Sequence, residues 1–174
     1  MTITVFVNDQ DQKVAVLGKA LYSLLDRQYF VFTREPSEYP TCPVDKTLGK
    51  LREIAQHITE DRLVVCFGCR VFPGNIKAIE ALAAQNKGNL VFLKRLRGSK
   101  TWTMTDKGLA FDNERIADCG IFVLNKQDLI GSDQINFNSF IRTLIQKKSL
   151  NPVFVDFWIF SNSEKNKSRS RGRR

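Results

Sequence analysis

Acidic residues flank the apolar segments of this sequence, and they are the side chains whose placement best suits catalysis. Asp9 and Asp11 follow the first apolar segment, whereas Asp118 and Asp128 flank the apolar segment 121–124. In an open parallel sheet, ligands bind beyond the carboxyl ends of the strands, and carboxylates gathered there can bind Mg²⁺ for phosphodiester hydrolysis. These four aspartates are therefore the candidate catalytic residues, and Asp9, Asp11 and Asp128 are predicted to converge. Alternatively, they occupy turns and helix caps, where aspartate is favoured.

A second chemical pattern is the stretch FVLNKQDLI, residues 122–130. Asn125, Lys126 and Asp128 have the spacing of the guanine-recognition motif of small GTPases. That motif needs a phosphate-binding loop of the form GxxxxGK[ST] elsewhere in the chain. The sequence contains no such loop, and RGSKT at 97–101 lacks its glycine spacing. We therefore interpret the stretch as a buried strand that ends in a polar turn.

The four cysteines include one close pair, Cys66 and Cys69, in the sequence CFGC. Such a pair between a strand and a helix can bind a metal or act as a redox centre, because a helix N-terminus lowers the pKa of a thiol. Cys42 and Cys119 are too distant in sequence to match a compact zinc site. Cys66 and Cys69 are consequently weak metal candidates, and buried structural cysteines are the alternative.

Basic residues gather in two places, a turn after the apolar segment 89–93 and the C-terminal segment 161–174. Lysine and arginine contact phosphates, and a neighbouring aromatic ring can stack on an unpaired base. The candidate nucleic-acid-binding residues are Lys94, Arg95, Arg97, Lys100, Trp102, Lys165, Lys167, Arg169, Arg171, Arg173 and Arg174. For the turn, the alternative is a solvated loop whose Trp102 faces the core. For 161–174, the alternatives are a solubilising terminus, a localisation signal or a contact with a membrane surface.

Composition indicates one globular domain with a basic tail. The chain has 174 residues and a net charge of +9, and six basic residues against one acidic residue give the segment 161–174 a charge of +5. That segment lacks apolar side chains, so it is predicted to be disordered, whereas 1–160 is predicted to be a single domain. The chain shows no signal peptide and no apolar stretch of the ~18 residues that a membrane span needs. A cytoplasmic location is therefore predicted.

Apolar periodicity predicts an α/β fold. From the N-terminus to residue 93, β-branched apolar segments alternate with segments of helical periodicity. This order predicts a mostly parallel central sheet with helices on both faces. The rest of the sequence predicts a hairpin near 101–112, a strand at 120–124, a helix within 138–148 and a last strand beginning at 151.

Charge and fold together predict a function with two alternatives. The main prediction is a protein that binds RNA or DNA through phosphate electrostatics and needs no cofactor. The first alternative is a Mg²⁺-dependent nuclease or phosphodiesterase whose strand-end aspartates are laid out as in PIN-like nucleases. The second alternative is a regulatory or inhibitory protein that docks on a larger nucleic-acid-processing complex.

Overall fold

The computed structural model describes residues 2–8, 21–22, 24–33, 39–67, 76–95, 102–105, 108–111 and 116–155. The strands are β1 (Thr2–Asn8), β2 (Tyr29–Thr33), β3 (Arg62–Phe67), β4 (Asn89–Arg95), β5 (Trp102–Thr105), β6 (Gly108–Phe111), β7 (Ile116–Asn125) and β8 (Leu150–Phe154). The helices are a 3-10 turn (Val44–Lys46), α1 (Thr47–His57), α2 (Ile76–Gln85), α3 (Lys126–Ile130) and α4 (Phe137–Gln146).

The central sheet contains six strands in the order β2-β1-β3-β7-β4-β8, and the hairpin β5–β6 is attached through β7. β1 pairs in parallel with β2 and β3, and β4 pairs in parallel with β8. β7 pairs antiparallel with both β3 and β4. Five of the six strands therefore point the same way. The predictions of a mostly parallel sheet and of a hairpin near 101–112 are confirmed.

The inner strands are almost continuously apolar because helices cover both faces of the sheet. Neighbouring residues of β3 show the alternation: Val65 packs in one core and Cys66 in the other. The first core lies under α1, α3 and α4, and we refer to this side as the α1/α4 face. The second core lies under α2 together with Leu21 and Leu24. The prediction of helices on both faces is thereby confirmed.

Helix α4 shows how the sequence fixes both ends of an element. The Asn136 side chain accepts a hydrogen bond from the Ser139 amide at 2.9 Å, which caps the helix at its N-terminus. At the other end, Lys148 has a φ of 54°, and the amides of Lys148 and Ser149 donate to the carbonyls of Ile145 and Leu144. The buried stripe of the helix consists of Phe137, Phe140, Ile141 and Leu144.

Two further predictions concern the ends of the chain. Helical periodicity in KVAVLGKALYSLL also predicts a helix over 13–25, which lies mostly outside the described residues, and the tail 161–174 lies wholly outside them. The limits of the domain and the disorder of the tail therefore stay predictions. Within the described ranges, none of the helices combines the length and the hydropathy that crossing a bilayer requires.

Candidate functional site

The direction of the strands defines one edge of the sheet as the place for a ligand. β1, β3, β4 and β8 end at this edge, which we term the carboxyl edge, and β7 begins there because it runs the opposite way. Open α/β sheets bind their ligands beyond this edge. The first residues of α1 and α4 lie here too, beside Phe67 at the end of β3.

A cavity of about 710 Å³ lies at the carboxyl edge on the α1/α4 face. This volume is within the range of pockets that bind small molecules. Its walls come from the 3-10 turn and the start of α1, from the end of β3, and from the start of α4. The lining residues are Val44, Asp45, Thr47, Phe67, Asn136, Phe137 and Asn138.

The floor of the cavity is aromatic. The half-buried ring of Phe67 lies 5.6 Å from the ring of Phe137 and 6.2 Å from that of Phe122, measured between centroids. Phe122 and Phe137 are 5.2 Å apart, and all three pairs meet edge to face. This geometry suits the quadrupoles of the rings and fixes their orientation. The floor is therefore a rigid apolar surface.

The rim of the cavity is polar. Asp45, Asn136 and Asn138 are exposed there, so a carboxylate and two amides surround the aromatic floor. The Thr47 hydroxyl is held by its bond to the Val44 carbonyl at 2.9 Å. An apolar floor with hydrogen-bonding groups around it suits a ring that carries hydroxyl or carbonyl groups at its edge.

Of the predicted catalytic residues, Asp118 lies at the carboxyl edge. It pairs with Leu93, whereas Phe122 pairs with Val91, so three residues of β7 lie opposite the single residue Phe92. One Asp118 carboxylate oxygen accepts a hydrogen bond from the Gly120 amide at 2.8 Å, and Gly120 has a φ of 66°. This bulge needs glycine because other residues are strained at that φ, and it fixes Asp118 at the start of the strand.

Asp128 follows the end of β7 at the opposite edge of the sheet, so the prediction that Asp128 lies at the carboxyl edge is wrong. β7 is antiparallel to its neighbours, and its end at Asn125 pairs with the start of β3. Measured along β4, where Leu93 lies opposite Asp118 and Leu90 lies opposite Val123, Asp118 and Asn125 are about five residue steps apart, roughly 17 Å at about 3.3 Å per residue. Asp9 and Asp11 themselves lie outside the described residues.

The surroundings of Asp128 give it a structural role. Its Oδ2 atom accepts hydrogen bonds from the side-chain amides of Asn89 at 2.7 Å and of Asn125 at 3.0 Å. Lys126 next to it donates through Nζ to the Ile58 carbonyl at 2.6 Å, which ties α3 to the end of α1. The stretch 122–130 is therefore a strand followed by a short helix rather than by a turn, and its polar residues join neighbouring elements.

The predicted basic turn is described in part. Lys94 and Arg95 end β4 at the carboxyl edge and pair with Ala117 and Ile116 of β7. Trp102 begins β5 and pairs with the same Ile116, so the register places it at that edge too. Arg97, Lys100 and the basic residues of the tail, Lys165, Lys167, Arg169, Arg171, Arg173 and Arg174, lie outside the described residues.

Cys66, the described member of the C-x-x-C pair, is a core residue. It lies in β3 on the α2 face with 1% of its surface exposed. Burial, with a smaller contribution from Glu80, raises the pKa of its thiol well above the ordinary value of 9.0. A thiol kept protonated is a poor zinc ligand and a poor nucleophile. Cys69 lies outside the described residues, and the described ranges contain no group of three or more His, Cys, Asp or Glu side chains placed to hold a metal.

We expect Cys66 to resist alkylation by iodoacetamide at pH 8 in the folded protein and to react in urea, as followed by peptide mass spectrometry. Because the folded state excludes the thiolate, folding stability should fall as the pH rises above about 9, the pKa expected for the unfolded thiol. A Cys66→Ala variant should lose this part of the alkaline dependence. Equal alkylation rates for the folded and unfolded protein would contradict the expectation.

The residues that line the cavity were missed from the sequence. They come from segments around 45, 67 and 137, which the strand order brings together. A weak signal was present, since Phe67 ends a buried strand and Asn136 stands in the N-cap position of an amphipathic segment. Neither pattern indicates which segments lie next to each other in the folded protein.

The fold is similar to that of several solved structures of low sequence identity. One solved structure is named a glucose-1-phosphate thymidylyltransferase from Bacillus anthracis in complex with a sucrose; it aligns with a TM-score of 0.64 and 9% identity, over 100% of this chain and 97% of that one. HddC from Yersinia pseudotuberculosis aligns with a TM-score of 0.68 and 9% identity, over 99% and 100%. The structure of the same protein complexed with GMP-PN aligns with a TM-score of 0.67 and 8% identity, over 99% of this chain and 100% of that one. No family model and no curated protein sequence matches the chain.

These neighbours contradict the prediction of nucleic-acid binding. They are named for nucleotidyl transfer to a sugar phosphate or were solved with sucrose or GMP-PN, which are small molecules. The alternatives of a PIN-like nuclease and of a regulatory protein on a nucleic-acid-processing complex are contradicted by the same finding. Positive charge misled the prediction, because it attracts phosphate whether the phosphate belongs to a polymer or to a single nucleotide.

Proposed function

We propose that the protein is an enzyme that binds a nucleotide or a nucleotide sugar at its carboxyl edge. The observation that carries this proposal is the similarity in fold to the thymidylyltransferase and to HddC, which extends over 97% or more of each chain. The cavity supports it, since it opens where ligands of open α/β sheets bind.

The cavity offers groups that suit the two ring systems of such a ligand. Phe67 and Phe137 present apolar surface to a base or to the C–H face of a sugar. Asp45, Asn136 and Asn138 present acceptors and donors to ring nitrogens, carbonyls or hydroxyls. The proposed ligand thus matches both the floor and the rim.

Phosphate contacts are proposed for the end of β4. Lys94 and Arg95 end β4 at the carboxyl edge two strands away from Phe67, which is about 10 Å at the usual strand spacing. Because Leu93 packs in the core of the α1/α4 face, Lys94 projects towards the α2 face, so the proposed phosphates lie beyond the edge rather than inside the cavity. A nucleotide whose base or sugar fills the cavity can extend its phosphates over that distance. Asp118, on β7 between β3 and β4, is proposed as the catalytic carboxylate of this edge.

The proposed reaction class is nucleotidyl transfer to a sugar phosphate. A phosphate oxygen of the sugar attacks the α-phosphorus of a nucleoside triphosphate, and the new P–O bond forms as the bond to pyrophosphate breaks. Pyrophosphate leaves with the electron pair. Such a transfer depends mainly on positioning and on stabilising the phosphate charge, which is the role given to Lys94 and Arg95.

Calorimetry with dTTP, UTP, GTP, ATP, glucose 1-phosphate and the corresponding nucleotide sugars tests the binding. We expect saturable binding of at least one nucleotide or nucleotide sugar. Release of pyrophosphate from the nucleotide that binds, in the presence of a sugar phosphate, tests the reaction. If none of these compounds binds at millimolar concentration, the proposal is wrong. Binding without pyrophosphate release would support the proposed class of ligand and contradict the proposed transferase activity.

A cytoplasmic location is also proposed. Within the described ranges, Cys42, Cys66 and Cys119 are buried thiols rather than disulfides, which suits a reducing compartment. Fractionation of cells that express the tagged protein tests the location, and recovery in an oxidising compartment would contradict it.

A further inference from the structure

The segment 131–136 crosses the α1/α4 face from one edge of the sheet to the other, and we term it the connector. It begins after α3, which follows the end of β7, and it delivers Asn136 and α4 to the cavity at the carboxyl edge. Within the connector, the Gly131 amide donates a hydrogen bond to the Gln127 carbonyl at 2.9 Å, and the Gln134 amide donates one to the Ser132 hydroxyl at 3.2 Å. Both are short-range bonds that do not attach it to the sheet.

One side chain of α1 attaches the connector to the rest of the domain. The Nε atom of Arg52 donates to the Leu129 carbonyl at 3.0 Å. Its Nη2 atom donates to the carbonyls of Ser132 at 2.6 Å and of Gln134 at 2.8 Å. A planar guanidinium can reach three carbonyls at once, whereas the single ammonium of lysine offers one compact group.

Arg52 therefore joins the two walls that face each other across the cavity. Val44, Asp45 and Thr47 form one wall and belong to the same helical segment as Arg52. Asn136 and Phe137 belong to the other wall and follow shortly after Gln134, whose carbonyl Arg52 holds. The charge on the guanidinium strengthens these bonds relative to neutral ones. This contact therefore links the two groups of lining residues.

We propose that Arg52 is a positioning residue that holds the connector against α1 and thereby fixes the cavity wall formed by Asn136, Phe137 and Asn138. Its effect on ligand affinity rests on the proposed function, whereas its effect on the wall does not. The matched control is Lys50, an exposed cation of the same helix that bonds to Glu53 at 2.6 Å. Lys50→Gln and Arg52→Gln remove the same charge from the same helix.

Hydrogen exchange of the full-length protein, followed by mass spectrometry, tests the effect on the wall. In Arg52→Gln, exchange at amides 132–138 should become about tenfold faster, as expected when local opening loses charge-assisted bonds. Arg52→Lys should show a smaller increase, and Lys50→Gln none. Affinity for the nucleotide or nucleotide sugar identified by calorimetry should fall about fivefold in Arg52→Gln and stay at the wild-type value in Lys50→Gln.

Unchanged exchange at 132–138 in Arg52→Gln overturns the proposal, as does an equal increase in Lys50→Gln. Faster exchange with wild-type affinity overturns the link between the connector and the ligand. If the wild-type protein binds none of the compounds, the proposed function fails, and the exchange rates alone still decide whether Arg52 holds the wall.

Discussion

Replacing Asn89 by alanine is expected to lower the free energy of unfolding by about 3 kcal/mol. Asn89 is 1% exposed, and its side chain forms hydrogen bonds with the end of β7, with α3 and with the segment before β8. Its Oδ1 atom accepts from the Asn125 amide at 2.7 Å, and its Nδ2 atom donates to Asp128 at 2.7 Å and to the Ser149 carbonyl at 3.3 Å. Alanine leaves the amide, the carboxylate and the carbonyl each short of a partner in a partly buried setting, and it opens a void.

Urea denaturation at constant m-value measures this loss. Asn151→Ala is the matched control, because Asn151 is an exposed asparagine on the neighbouring strand β8 with one long contact, 3.5 Å, to the Lys87 carbonyl. The control should change stability by less than about 0.5 kcal/mol. A loss below about 1 kcal/mol in Asn89→Ala would show that water replaces the missing partners and that the site is less enclosed than the structure indicates.

Phe67→Ala is expected to weaken binding of the nucleotide or nucleotide sugar by roughly thirtyfold. The ring forms the floor of the cavity and orients Phe137 through an edge-to-face contact. Its removal takes away apolar surface under the ligand and leaves Phe137 free to turn. Calorimetry with the compound that binds the wild-type protein measures the change in affinity.

Phe30→Ala is the control for this variant. Phe30 is a half-buried phenylalanine that packs against the same core from β2 and does not line the cavity. Both substitutions remove a half-buried aromatic side chain, so affinities are compared at a temperature where both variants are folded. Equal affinities for Phe67→Ala and Phe30→Ala would place the ligand elsewhere at the carboxyl edge.

Much of the fold could be predicted because a sheet covered on both faces leaves a clear mark on its sequence. The segment 121–124 is entirely apolar, as a strand with two buried faces must be. The helix within 138–148 and the hairpin near 101–112 left equally direct patterns.

The direction of β7 could not be predicted, because alternation of side chains is the same in parallel and antiparallel strands. That one reversal moved Asp128 to the edge opposite the carboxyl edge, where it accepts from Asn89 and Asn125. The cavity could not be predicted from the sequence either, because its three lining segments lie about 20 and 70 residues apart along the chain. Composition could not distinguish a nucleic acid from a nucleotide, as both carry phosphate.

The central position of β7 sets the order in which the sheet can assemble during synthesis. The strands β2, β1 and β3 have all been made by residue 67, and β4 by residue 95, yet these two groups join through β7, which ends at Asn125. Until β7 has been synthesised and has paired with them, β3 and β4 each present an open hydrogen-bonding edge that can pair with another chain. Pairing of Arg62 with Asn125 also closes a long loop, which slows folding. A chain stalled before residue 116 would therefore be prone to aggregate, since both groups of strands would still lack their shared neighbour.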